Sequence, residues 1–178
     1  MKWIIPFLIA TTAEANMLFE DFSDGAETRW RYLSDRVMGG VSDGGGAIGQ
    51  EDGQRFALLA GSVSTQNNGG FIQLRRDIAA GLPANSTGLV LTARGQNGPY
   101  YVHIRTRDTR RPWQYYQASF ETTDAWENTA LTWADFSAKG RGLPATLSPE
   151  MITSIGLVAY GRDHAAELAV QSVTIIQD

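Results

Sequence analysis

The stretch Asp35–Gly49, DRVMGGVSDGGGAIG, decides between two fold classes. Its glycines at 44, 46 and 49 form a GxGxxG. As a dinucleotide cradle, that pattern would make the chain an α/β protein wound around a parallel sheet. Such a cradle needs a strand before the glycines, a helix opening directly after them, and an acid about 20 residues further on. The residues that follow, QEDGQRFALLAG, place Gly53 inside any helix and show no helical apolar stripe, and Gln66 stands where the acid belongs. No GK[ST] ending makes a P-loop either. By these criteria the stretch is not a nucleotide site.

What surrounds it reads as β-structure. Short runs rich in branched and aromatic residues recur between Gly, Asn, Asp and Pro clusters, the pattern of an all-β sandwich. Strands are expected at 17–22, 30–33, 55–64, 70–76, 89–94, 100–107, 114–122, 128–133, 154–160 and 168–176. No segment keeps a helical stripe over three turns. Residues 137–142 and 148–152 could each hold one helical turn, the second with Ser148 as cap and Pro149 at the first helical position.

Composition sets the outer bounds. A chain of 178 residues is one ordinary domain with a real core. Cysteine is absent, so disulfides, thiolate zinc sites and thiol nucleophiles are excluded. A net charge of −4 argues against general nucleic-acid binding. Of the 15 basic residues only Lys2 and Lys139 are lysines. The bias to arginine suits fixed contacts with carboxylates or phosphates. At the N-terminus Lys2, the apolar run Trp3 to Ala10 and the A-x-A at Ala13-Glu14-Ala15 have the form of a secretory signal, giving a segment 1–15, a domain 16–178 and a periplasmic or secreted location. A stable membrane span would need about 20 apolar residues.

Two strands alternate clearly enough to assign faces. Tyr100, Val102, Ile104 and Thr106 face inward, which leaves Tyr101, His103 and Arg105 outside. Tyr116, Ala118 and Phe120 face inward, which leaves Tyr115 and Gln117 outside. If the strands pair as a hairpin around 108–113, one sheet face carries aromatics, a histidine, an amide and an arginine. Such a face either is simply solvated or binds a ligand.

The run Trp30-Arg-Tyr-Leu-Ser-Asp-Arg-Val-Met-Gly-Gly-Val-Ser42 resembles the signature of the complex I intermediate-associated protein 30 family, a tryptophan followed by Asp-x-Val-Met-Gly-Gly-x-Ser. Asn67-Asn-Gly-Gly-Phe-Ile-Gln-Leu-Arg75 is similar to the family's NNGGF-x-x-x-R. Matches continue in order at 116–122, Trp126, Leu131, Asp135-Phe136, Arg141-Gly142 and 155–157. The resemblance implies a galactose-binding-like jelly-roll β-sandwich, makes the glycine stretch a structural turn, and implies a non-catalytic assembly factor acting on a protein partner. Fold carries over more firmly than role. The loops at 94–100 and 162–167 depart from the family pattern.

Within the motifs, Gly39 and Gly40 supply a positive φ or a close approach, with Met38 and Val41 expected to plug the core. Gly46, by contrast, is expected to tolerate a methyl group. Asn67-Asn68-Gly69-Gly70, leading into Phe71, has turn chemistry. Asp35, Ser42 and Arg75 fit either a buried Asp–Arg pair with a serine hydrogen bond or a ligand cleft. Catalytic motifs are missing: the two histidines, His103 and His164, form no metal pair, and no GxSxG or HExxH occurs. Asp21 or Asp24 could offer oxygens to a structural calcium, although carboxylates near turns are usually solvated. The expectation is therefore a module without cofactor that binds a protein partner, or alternatively a carbohydrate across Tyr101, His103, Arg105, Tyr115 and Gln117.

Overall fold

Each short branched or aromatic run pairs with its neighbours through antiparallel ladders, and the glycine and asparagine clusters turn the chain between them. The computed structural model describes residues 16–178; the expected signal segment 1–15 lies outside them. The strands are β1 (Met17–Glu20), β2 (Trp30–Ser34), β3 (Asp43–Glu51), β4 (Gln54–Val63), β5 (Phe71–Asp77), β6 (Ser86–Gln96), β7 (Tyr100–Thr106), β8 (Tyr115–Phe120), β9 (Glu127–Thr132), β10 (Ser137–Lys139), β11 (Ile152–Tyr160) and β12 (His164–Gln177). One sheet runs β3-β4-β12-β6-β9, with β1 also bonded to β12; the other runs β10-β8-β7-β11-β5-β2. The two stack as a jelly-roll sandwich.

Alternation fills the space between the sheets. Tyr100, Val102 and Ile104 of β7 and Leu89 and Leu91 of β6 are fully buried there. On β12 the buried set changes parity, Leu168 and Val170 giving way to Val173 and Ile175. A bulge between Val170 and Ser172 accounts for the change, because one extra residue turns the following side chains over. The core continues to Trp30, whose ring lies 5.5 Å from that of Phe22.

The glycine stretch differs from expectation. Only Asp35–Met38 forms a turn, a short 3-10 segment; residues 43–51 are strand β3, paired along its length with β4 through a tight turn at Asp52-Gly53. Alternating glycines suit this place because an added Cβ would lie 2.4 Å from the Ala60 carbonyl oxygen at Gly44 and 2.3 Å from Leu74 Cδ2 at Gly46. These glycines admit a neighbouring backbone and a core leucine. A methyl at Gly46 would require the end of the Leu74 side chain to shift. Residues 137–139 are likewise a strand, held by pairing with β8 rather than by helical propensity. The turn at Pro149–Met151 forms as expected, with Ser148 before it.

The sheets are fastened at one corner by Glu20, which is 3% exposed. It accepts hydrogen bonds from the Phe22 amide (2.7 Å), Arg29 Nη2 (2.8 Å), Trp30 Nε1 (2.8 Å) and Arg76 Nη1 (2.7 Å). Burial would raise its pKa, but hydrogen bonds from Arg29, Trp30 and the Phe22 amide outweigh that and hold the carboxyl below its ordinary value. Nearby, Asp24 pairs with Arg55 and Asp21 accepts from the Ser23 amide. Among the described residues no three His, Cys, Asp or Glu side chains are grouped to hold a metal ion.

Candidate functional site

Two family-like stretches meet at Asp35, which is completely buried. Its Oδ1 accepts from the Ser42 amide (3.0 Å); its Oδ2 accepts from the Ser42 hydroxyl (2.5 Å) and from the amides of Gly70 (2.6 Å) and Phe71 (3.4 Å). Burial pushes the carboxyl up, yet the Ser42 hydroxyl and the Gly70, Ser42 and Phe71 amides pull it below its usual range. Glycine is needed around it for room: a Cβ on Gly40 would lie 2.3 Å from Asp35 Cγ, and one on Gly69 2.4 Å from Oδ2. Gly39 instead takes the left-handed backbone, with φ +90°. Asn67 and Asn68 are left-handed too, as their turn chemistry requires.

This clasp is the hydrogen-bonded lock without its expected arginine. Arg75 lies elsewhere, its nearest carboxylate being Asp77 at 3.7 Å. Met38 and Val41 do not plug the core: they are 55% and 42% exposed, and Val37 is 74% exposed. The 3-10 turn points these apolar side chains outward, so the clasp holds an apolar knuckle at the surface. It also fixes the first residue of β5, Phe71, which lines a cleft on the outer face of the second sheet.

The cleft encloses about 80 Å³. Register explains its lining. Gly156 of β11 lies opposite His103 of β7 on one side and Arg75 of β5 on the other, and His103 lies opposite Gln117 of β8. That row carries an imidazole, an amide and a guanidinium across a strand that has only a hydrogen at its centre. The neighbouring row sets Ser154 beside Arg105. Tyr115 and Tyr160 close the aromatic side, their hydroxyls 3.2 Å apart. None of the lining side chains is a carboxylate.

The hairpin expected from alternation forms, and Tyr101, His103, Arg105, Tyr115 and Gln117 share its outer face. They are packed rather than freely solvated. His103 stacks on Tyr115 (centroids 4.2 Å apart, 17° between planes) and meets Tyr160 edge-on at 5.4 Å. Tyr101 contacts Tyr160 edge-on at 5.8 Å. Arg105 is committed to the hairpin loop, donating to the carbonyls of Pro112 (3.0 Å), Arg111 (3.0 Å) and Thr109 (3.3 Å). It shapes the cleft wall as much as it charges it. Sequence reasoning missed Tyr160, Gln73 and Ser154. They have the right parity on β11 and β5, but only the strand order shows that β11 and β5 lie beside β7.

His103 Nε2 lies 3.1 Å from Gln117 Oε1, which fits a neutral ring protonated at Nε2. Burial lowers its pKa to about 4; the Gln117 hydrogen bond opposes this and the Lys139 charge adds to it. The folded value lies below the ordinary 6.5, so the unfolded chain binds the proton more readily. The stability this ring confers is complete above pH 6.5 and is lost as pH falls towards 4. The gap corresponds to about 3 kcal/mol at most. Urea unfolding between pH 7 and 4.5 should show this slope, and His103→Gln should flatten it. An unchanged slope would mean the ring is not buried as described.

Residues 19–170 match the family model described as complex I intermediate-associated protein 30. No curated protein matches the sequence. Among solved structures, the chain is similar to the family 11 carbohydrate-binding module of the cellulosomal cellulase Lic26A-Cel5E of Clostridium thermocellum, at 12% identity over 94% of this chain and 97% of that one, with a TM-score of 0.75. A structure of the Clostridium thermocellum module with a β-1,3-1,4-mixed-linked tetrasaccharide gives the same score at 12% identity, covering 93% and 98%. Part of an exo-β-agarase also matches (TM-score 0.61, 9% identity, 91% of this chain and 25% of that one). At such identities these likenesses establish the shared sandwich fold.

Proposed function

We propose, on the premise that this chain belongs to the complex I intermediate-associated protein 30 family, that it is a non-catalytic binding module whose ligand, a carbohydrate, lies in the cleft on the outer face of β7, β11 and β5. The observation that carries this reading is the lining: tyrosine and phenylalanine walls, planar amide and guanidinium groups, and a glycine floor, without a carboxylate to serve as acid or base. Sugars present apolar ring faces edged with hydroxyls, and such a lining matches both. The fold is one that a tetrasaccharide-bound module also uses. The N-terminal pattern outside the described residues supports export, which would bring the domain to extracellular polysaccharide.

A second reading rests on the knuckle. Val37, Met38 and Val41 are exposed on a turn held rigid by a buried carboxylate, and an apolar tip of this kind fits a protein partner, as an assembly role would need. Affinity electrophoresis through polysaccharide gels separates the two. The full chain should be retarded, Gln73→Ala should weaken retardation about five- to tenfold while keeping the thermal midpoint, and Val37→Ser with Met38→Ser should leave it intact. Free migration in every gel, with a co-purifying protein lost only in the knuckle variant, would replace the first reading by the second.

A further inference from the structure

Arg75 stands out among the cations of the second sheet. Arg31 spends its charge in a two-pronged pair with Asp77, at 2.6 and 3.1 Å. Asp77 is therefore already engaged where it approaches Arg75, and the 3.7 Å separation from Arg75 Nε is too long for a hydrogen bond. The Arg75 Nε is buried and has no partner. Burial, and then the charge of Arg31, draws the guanidinium below its ordinary pKa; Asp77 opposes this and Arg105 adds to it. A buried arginine donor without a partner is costly, and the rest of this guanidinium-bearing side chain, 25% exposed, lines the cleft, where an incoming anion would meet it.

The surroundings suit an anion of defined shape. Arg105 lines the same cleft, and His103 is neutral at ordinary pH. The floor between His103 and Arg75 is Gly156, where a Cβ would lie 2.8 Å from Gln73 Oε1 and would crowd the amide that lines the cleft beside Arg75. The lining holds two arginines and no carboxylate, opposite in sign to the chain's net charge of −4. A planar guanidinium fork matches a carboxylate, and the tyrosine and phenylalanine walls call for a ring beside it.

We infer that the cleft selects an acidic saccharide, a uronic-acid unit whose carboxylate is received by Arg75 while its ring lies against Tyr115, Tyr160 and Phe71. The inference rests on the carbohydrate reading of this cleft and adds to it the charge of the ligand.

Calorimetric titration of the full chain with a panel of uronic-acid oligosaccharides, and with the same oligosaccharides after reduction of their carboxyls to neutral alcohols, tests it. At least one acidic oligosaccharide should bind about tenfold or more tightly than its reduced form, with the advantage shrinking as salt is raised. Arg75→Gln should bring the two forms to parity, and Arg94→Gln, on the other sheet, should change neither. The wild-type comparison needs no variant, so misfolding of Arg75→Gln would not rescue a failed result. Equal binding of acidic and reduced forms overturns the inference and leaves the carbohydrate reading standing. Binding of hexaglutamate or inorganic phosphate with no binding of any saccharide overturns both, as does the absence of binding to every probe.

Discussion

Asp35→Ala is expected to lower the unfolding free energy by about 3–5 kcal/mol, because it strands the Ser42, Gly70 and Phe71 amides around a buried void and leaves the Ser42 hydroxyl only its Ser64 partners. Against a whole-domain stability of about 5–15 kcal/mol, that is a large share. Gly40→Ala should also be severe on its own, since its methyl would lie 2.3 Å from Asp35 Cγ. The two changes should be less than additive: loss of the carboxylate removes the contacts at 2.3 and 2.4 Å, while the residue-35 Cβ, 2.7 Å from the new methyl, stays, so the double variant should be less stable than Asp35→Ala alone but more stable than the sum of the two losses would make it. Gly39→Ala differs in kind. Nothing lies within 4 Å of its added Cβ, and only the left-handed backbone is strained, at about 1 kcal/mol. Urea midpoints of the four variants decide the matter. Fully additive losses for Asp35→Ala and Gly40→Ala would show that the glycine serves something other than the carboxylate.

Glu20→Gln is the second large effect, again about 3–5 kcal/mol, since the change leaves Arg29 and Arg76 facing an amide in place of their shared anion. Exposed pairs such as Arg31–Asp77 should by contrast be worth no more than about 1 kcal/mol. The folded Glu20 carboxyl titrates below its ordinary 4.5, so its contribution is whole above pH 4.5 and fades as pH falls through the folded value. The gap between wild type and Glu20→Gln should therefore be widest near neutrality and narrow in acid. A gap that is small at pH 7, or that grows on acidification, would remove Glu20 from its place as the corner fastening.

Wherever side-chain chemistry acts locally, the sequence was readable. The outer face of β7 and β8 followed from strict alternation, and the left-handed Asn67 and Asn68 from their residue types. The signature residues led to the family and through it to the sandwich. Three readings failed for one physical reason, that the deciding partner is remote in the chain. The resemblance implied a turn over the glycine stretch, and pairing along β4 with a close approach to Leu74 makes residues 43–51 the strand β3 instead. Met38 looked like core because it is apolar, but a turn fixed by Asp35 points it outward. Arg75 looked like a partner for Asp35, yet β5 carries it to the cleft on the opposite face from the core, and Gly70 and Phe71 amides complete the carboxylate instead. Tyr160 became part of the cleft only once β11 was seen between β7 and β5.

The position of β12 governs when this domain can exist at all. It bonds β4 on one edge and β6 on the other, and its far half also bonds β1, placing Met17 opposite Ile175. Every partner precedes it in the chain. During synthesis, β1, β4 and β6 therefore emerge with no neighbour for these edges and wait while about 140, 100 and 70 residues follow them, respectively; the first sheet closes only when residues 164–177 arrive. Chains whose contacts span such separations collapse late and slowly, on the scale of milliseconds to seconds rather than microseconds. A chain stopped before Leu168 should yield no half-domain that survives proteolysis.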